Sequence, residues 1–125
     1  MNYMSYNMDM WIVDFYEREN GDCPVEEFIY NTLEKKLQSK TLATVDQLKI
    51  LGNLLGEPKS KHLDDGIFEL RMQVATNSAR ILYFFYVDRK IILTNGFIKK
   101  TNKLPKSELD KAKRYREDYI RRNKL

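Results

Sequence analysis

Arg71, Arg80 and Lys99 are the side chains of this chain best suited to phosphate chemistry. A guanidinium offers a planar fork of N–H donors and keeps its charge at neutral pH, so it can stabilise charge building on phosphate oxygens. Whether the three act together depends on strand pairing. If Asp88-Arg89 is a two-residue turn, Val87 pairs with Lys90 and Arg80 falls opposite Phe97. If Val74 to Asn77 form the preceding loop, Gln73 pairs with Ser78 and Arg71 falls opposite Arg80. Lys99, two residues past Phe97, continues the same face. Directly opposed arginines repel, so the pairing suggests an anion bound between them. The other reading is that Glu69 neutralises Arg71 while Arg80 snorkels over the sheet edge. A one-residue slip in either hairpin would scatter the set.

Around this triad stand residues suited to holding RNA. Phe97 is either a stacking platform for an unpaired base or plain core. Lys61 and His62, with Lys59, precede the arginine strand and could rim the same face. Lys100, Thr101 and Lys103 carry it into the C-terminal segment, with Lys100 expected to point to the opposite side. His62 is the only histidine, which leaves no Ser-His-Asp constellation. The five glycines form neither a Walker loop nor G-x-G-x-x-G, and no Cys/His spacing suits zinc. Asp64-Asp65 beside Gly66 reads as a turn rather than a magnesium site. Chemistry without a metal or cofactor is expected.

The elements that must position these groups follow from periodicity. Met10 to Glu17 alternate, with Trp11, Val13 and Phe15 on one side of a strand. Pro24 opens a helix with an apolar stripe of Val25, Phe28, Ile29, Leu33 and Leu37. A second helix from about Thr41 carries Val45, Leu48, Leu51 and Leu55 and ends at Gly56 and Pro58. Gly66 to Gln73, Ser78 to Val87 and Lys90 to Phe97 read as a three-stranded antiparallel meander. A last helix starts near Pro105, where Ser107 and Asp110 have capping-box spacing, and runs to about Arg122. Leu109, Ala112, Tyr119 and Ile120 are its expected docking face. The class is α+β: a sheet with an N-terminal strand, a helical hairpin, the meander and a C-terminal helix.

Composition bounds the setting. At 125 residues, 42% of them hydrophobic, residues 1–125 read as one domain, with 1–9 as a loose arm. The single cysteine, Cys23, cannot form an internal disulfide, and neither a signal peptide nor an apolar run of membrane-spanning length is seen. A cytoplasmic protein is expected. The net charge of +4 is uneven: from Lys99 to Leu125 eleven Lys and Arg face four Asp and Glu, +7, leaving −3 for residues 1–98. Such asymmetry points to a polyanionic or acidic partner at that end, or to a solvated basic helix.

Three ordered runs carry a resemblance. Leu63-Asp64-Asp65-Gly66-Ile67-Phe68-Glu69-Leu70-Arg71 comes first, then Ala79-Arg80-Ile81-Leu82-Tyr83-Phe84-Phe85. Gly96-Phe97-Ile98-Lys99-Lys100-Thr101-Asn102-Lys103-Leu104-Pro105 follows, ahead of a helix bearing Glu108 and Ala112. Together they resemble the RelE/ParE superfamily of bacterial toxins, most of all its phage-derived HigB-like branch. The resemblance implies a RelE-like fold and the toxin of a type II toxin–antitoxin system. It implies a metal-independent endoribonuclease that cuts mRNA on the ribosome by attack of the ribose 2′-hydroxyl on the adjacent phosphate. The implied partner is a HigA-like, DNA-binding antitoxin. Arg71 and Arg80 match the family's strand arginines, and Lys99 with Lys100 its basic pair. The general base stays open among Tyr115, Tyr119, His62 and a lysine. So does the target, because a same-fold toxin can instead bind a protein such as DNA gyrase, and a non-catalytic RNA-binding regulator would also carry a basic face.

Overall fold

The computed structural model describes residues 10–124; the proposed arm at 1–9 lies outside them. Five strands form, β2 alone without an apolar run behind it: β1 (Ile12–Phe15), β2 (Ser60–Asp64), β3 (Ile67–Val74), β4 (Asn77–Tyr86) and β5 (Lys90–Ile98). Helical segments are α1 (Pro24–Glu27), a π-helical turn (Phe28–Thr32), α2 (Lys35–Leu51) and α3 (Lys106–Arg122). One sheet of order β1-β5-β4-β3-β2 results, antiparallel throughout except where β1 lies parallel to β5. The α+β expectation holds, with β2 as an additional edge strand that its polar sequence had hidden.

Alternation divides the sheet into two buried faces. Leu70, Met72, Ile81, Leu93 and their neighbours pack under α1, the π-turn and α2, through Val25, Ile29, Leu37, Val45 and Leu48. Ile67, Leu82, Phe84, Ile92 and Phe97 pack on the opposite side with Tyr16 and with Ala112 of α3. Leu109, Tyr115 and Tyr119 complete the α3 side, while Ile120, counted in that face from sequence, is exposed.

The helical hairpin breaks earlier than its apolar stripes suggest. Leu33 adopts an extended backbone, φ −78° and ψ 137°, and α2 then runs unbroken through residues 38–41. Two polar side chains of this stretch bond locally: Gln38 Nε2 donates to the Ile29 carbonyl at 2.9 Å and Thr44 Oγ1 to the Lys40 carbonyl at 2.7 Å. The helix stops at Gly52, not Gly56, and Leu51 faces outward. Gly52 has φ +52°, and a Cβ there would lie 2.0 Å from Trp11 Nε1, so the Trp11 ring demands a glycine.

The β3–β4 register matches the sequence reading, with Gln73 opposite Ser78 and Arg71 opposite Arg80. The β4–β5 register reaches the expected result by another route. Tyr86 rather than Val87 pairs with Lys90, so the connection has one more residue than expected. A bulge at Thr94 then removes the offset: Tyr83 pairs with Leu93, Leu82 with Asn95, and Arg80 with Phe97. The Thr94 hydroxyl reaches the Leu82 carbonyl at 3.1 Å, and Asn95 Nδ2 donates to Glu108 Oε1 of α3 at 3.0 Å. That anchorage holds the shifted half of β5.

At the start of α3, Pro105 occupies the cap position and no side chain caps the helix; Ser107 lies inside it, so the capping box is not formed. Docking comes instead from the β2–β3 turn, where Asp64 meets Lys113 at 2.6 Å and Asp65 meets Arg116 at 2.7 Å. Tyr16 Oη donates to Asp118 Oδ2 at 2.6 Å.

Candidate active site

Sheet pairing sets Arg71 of β3 and Arg80 of β4 side by side on the α3 face. Lys99 follows the end of β5, its N–H bonded to the Ser78 carbonyl at 2.8 Å. A shallow open cleft of about 410 Å³ is lined by Arg71, Gln73, Ser78, Arg80 and the run Lys99-Lys100-Thr101-Asn102. Four of these eight side chains are cations and none is a carboxylate. A phosphodiester is the natural occupant of such a surface, since its anionic oxygens meet several charge-assisted donors at once.

Glu69 stands two residues before Arg71 on the same face, 2% exposed. Arg71 Nε donates to Glu69 Oε1 at 2.9 Å. Arg80 Nε lies 3.6 Å from that same oxygen without a hydrogen bond, and Arg80 Nη1 donates to the neighbouring Ala79 carbonyl at 2.9 Å. Arg71 Nη1 also lies 3.8 Å from Glu57 Oε1. The carboxylate read from sequence as neutralising Arg71 therefore serves both arginines. Burial lowers the Arg80 pKa, Glu69 offsets part of that, and Arg71 adds to it; a guanidinium stays charged regardless. With Lys99 and Lys100 the cluster holds four positive charges against the two negative ones of Glu69 and Glu57, a local +2.

Several expected members lie elsewhere. Phe97 faces the arginine side but is only 9% exposed, packed in the α3 core with Leu82 and Leu109. It cannot offer its ring to a base. His62 pairs with Phe68, whose ring its own meets edge-on at 5.0 Å, and its Nε2 accepts from the Gly66 N–H at 3.2 Å. Phe68 packs toward the helical hairpin, so His62 is on the wrong face of the sheet. Lys61 is opposite Glu69 and shares the arginine face, though outside the cleft. Lys59 turns away to Gln47 of α2 at 2.8 Å. Lys100 lines the cleft beside Lys99, contrary to the alternation argument, because β5 ends at Ile98 and the pleat no longer dictates direction. Thr101 joins it, whereas Lys103 is exposed beyond the cleft. Tyr115 stacks on Tyr16 at 4.6 Å and Tyr119 packs against Phe84 and Tyr86, so neither reaches the cleft. Among the described residues no group of three His, Cys, Asp or Glu side chains could hold a metal ion, and no helix is long and apolar enough to cross a membrane.

Gln73, Ser78 and Asn102 were not anticipated. The pairing that aligned the arginines also contained the first two: Gln73 is two residues after Arg71, Ser78 two before Arg80, and they face each other. The charge of α3 proves less available than its sequence suggests. Asp64, Asp65, Glu19 and Asp118 pair with Lys113, Arg116, Arg121 and Arg122.

A family model described as phage-derived protein Gp49-like matches residues 29–117, a span containing α2, the whole meander, the cleft and most of α3. No curated protein matches significantly.

Proposed function

The chain belongs to the Gp49-like family of phage-derived proteins, a family related to RelE-type toxins, and we propose that it is the toxin of a type II toxin–antitoxin pair that cuts messenger RNA. One observation carries this reading: Arg71 and Arg80 are paired across adjacent strands in a cleft that adds Lys99 and Lys100 and no carboxylate. Glu69 offsets part of the repulsion between the two guanidiniums, and the cations in excess of it at an open surface favour an anionic ligand there.

In this reading the scissile phosphate enters the cleft. The ribose 2′-hydroxyl attacks phosphorus and the bond to the 5′ oxygen breaks, giving a 2′,3′-cyclic phosphate and a 5′-hydroxyl. Arg71 and Arg80 stabilise the charge that accumulates on the phosphorane oxygens. Neither carboxylate, histidine nor tyrosine lines the cleft, so proton transfer falls to its lysines, with Lys99 beside the arginines as the first candidate. Gln73, Ser78, Thr101 and Asn102 supply neutral hydrogen bonds to the backbone on either side. The chemistry needs no metal, and the shallow cleft suits a strand presented extended on the ribosome. A cognate DNA-binding antitoxin of HigA type completes the pair by covering these cations.

Expression without the partner tests this. Growth should stop with transcripts cut inside translated frames and carrying new 5′-hydroxyl ends. Intact transcripts with a DNA-damage response would replace the ribonuclease reading by a gyrase-binding one.

A further inference from the structure

We infer that Glu69 is the positioning residue of the cleft, a built-in counter-ion that fixes Arg71 and leaves Arg80 to seek the phosphate. The inference rests on the ribonuclease reading and assigns unequal roles to its two arginines.

A carboxylate this deeply buried is unfavourable unless cations and donors satisfy it. Glu69 is flanked on the sheet by its cross-strand neighbours Lys61 and Leu82, and Arg71 and Arg80 are the cations in contact with it. Yet its hydrogen bonding is incomplete. Oε1 accepts from Arg71, while Oε2 is buried with no hydrogen-bond partner, and Arg80 Nε is buried with none either. The unmatched donor and acceptor belong to two side chains already in ion-pair contact, Arg80 Nε standing 3.6 Å from Glu69 Oε1. Arg71 is held by Glu69 and faces Glu57 as well. Arg80 donates one hydrogen bond, to the carbonyl of the residue before it, and has a looser ion pair with Glu69 at 3.6 Å. Desolvation, which lowers the Arg80 pKa, adds to its demand for an anion.

Without ligand, the carboxylate offsets the repulsion between the two guanidiniums and keeps the sheet paired. When a phosphodiester enters the cleft, Arg80 can turn to it at little loss, while Arg71 stays aligned by Glu69. The same negative charge weakens ground-state binding of the phosphate. Glu69 thus trades affinity for orientation, which favours turnover over retention.

Glu69→Gln tests this, with a 2′-O-methyl RNA oligonucleotide as the uncleavable probe. The variant should bind the probe about tenfold more tightly at low salt, because one nearby negative charge is gone. It should cleave unmodified RNA about tenfold more slowly or worse, because Arg71 is no longer aligned. Inorganic phosphate should raise its melting temperature more than that of the wild type, by replacing the missing charge. Glu69→Asp keeps the charge but withdraws it by one methylene, and decides the matter if Glu69→Gln does not fold. It should lose cleavage rate with probe affinity unchanged. A plain structural role would instead lower binding, cleavage and melting temperature together, with no added response to phosphate, and that pattern overturns the inference. If the wild type cuts no RNA, the ribonuclease reading fails by itself, and the probe and phosphate measurements still decide the role of Glu69.

Discussion

Two residues apart on the chain, Phe97 and Lys99 have opposite fates: one closes the α3 core and the other borders the cleft. Phe97→Ala should therefore destabilise the fold by about 3 kcal/mol, in line with truncation of other buried phenylalanines. The salt dependence of RNA binding should stay unchanged, which melting curves and salt titrations would show together; a reduced slope would restore Phe97 to the site. Lys99→Ala and Lys100→Ala should each flatten the log–log salt dependence by about 0.7 for every single-strand phosphate left without its cation. If Lys100→Ala binds like wild type, that lysine does not share the cleft. The arginine pair was legible in the sequence because Ala75-Thr76 is a short turn that fixes the register of both strands. The direction of Lys100 was not legible, since alternation holds only while a strand is paired, and β5 ends at Ile98. Burial of Phe97 depends on α3 arriving over it, which no local pattern in β5 announces.

At the scale of elements, β5 is the piece that places the site, and two of its features are open to test. Gly96 packs so closely that an added Cβ would sit 2.3 Å from Cδ2 of the Phe28 ring. Gly96→Ala should lower the melting temperature sharply, and Phe28→Leu in the same chain should recover part of the loss. Absence of recovery would place the strain elsewhere. The length of the β4–β5 turn and the Thr94 bulge could not be read from composition: each shifts the register by one residue, and only their cancellation is visible at Arg80. The helical hairpin was legible in kind but not in its break, because Thr41 and Thr44 are buried on α2 where the apolar stripe suggested a gap. α3 is fastened partly through Tyr16, whose pKa is pushed up to about 12 by burial and by its bond to Asp118. A raised pKa means that the fold favours the protonated phenol. Its contribution is complete below pH 10, the ordinary tyrosine value, and is lost as pH rises toward 12. The stability difference between wild type and Tyr16→Phe should shrink across that interval; a constant difference would show that Tyr16 titrates normally.

For the whole molecule, linear charge and folded charge tell different stories. The basic C-terminal segment suggested that α3 itself meets a polyanion, yet acidic residues distant in sequence answer three of its cations, Lys113, Arg116 and Arg121. Exposed pairs of this kind contribute little stability. Their consequence is electrostatic focus: positive potential collects where Arg71 and Arg80 meet Lys99 and Lys100. The most direct test is a single-turnover measurement on ribosome-bound mRNA with wild type and Arg80→Ala, alongside the melting temperature of each. A guanidinium that acts on the transition state is worth on the order of a hundredfold in rate. The cleft account predicts a loss of at least that order with the fold intact, and equal cleavage rates for the two proteins would contradict it.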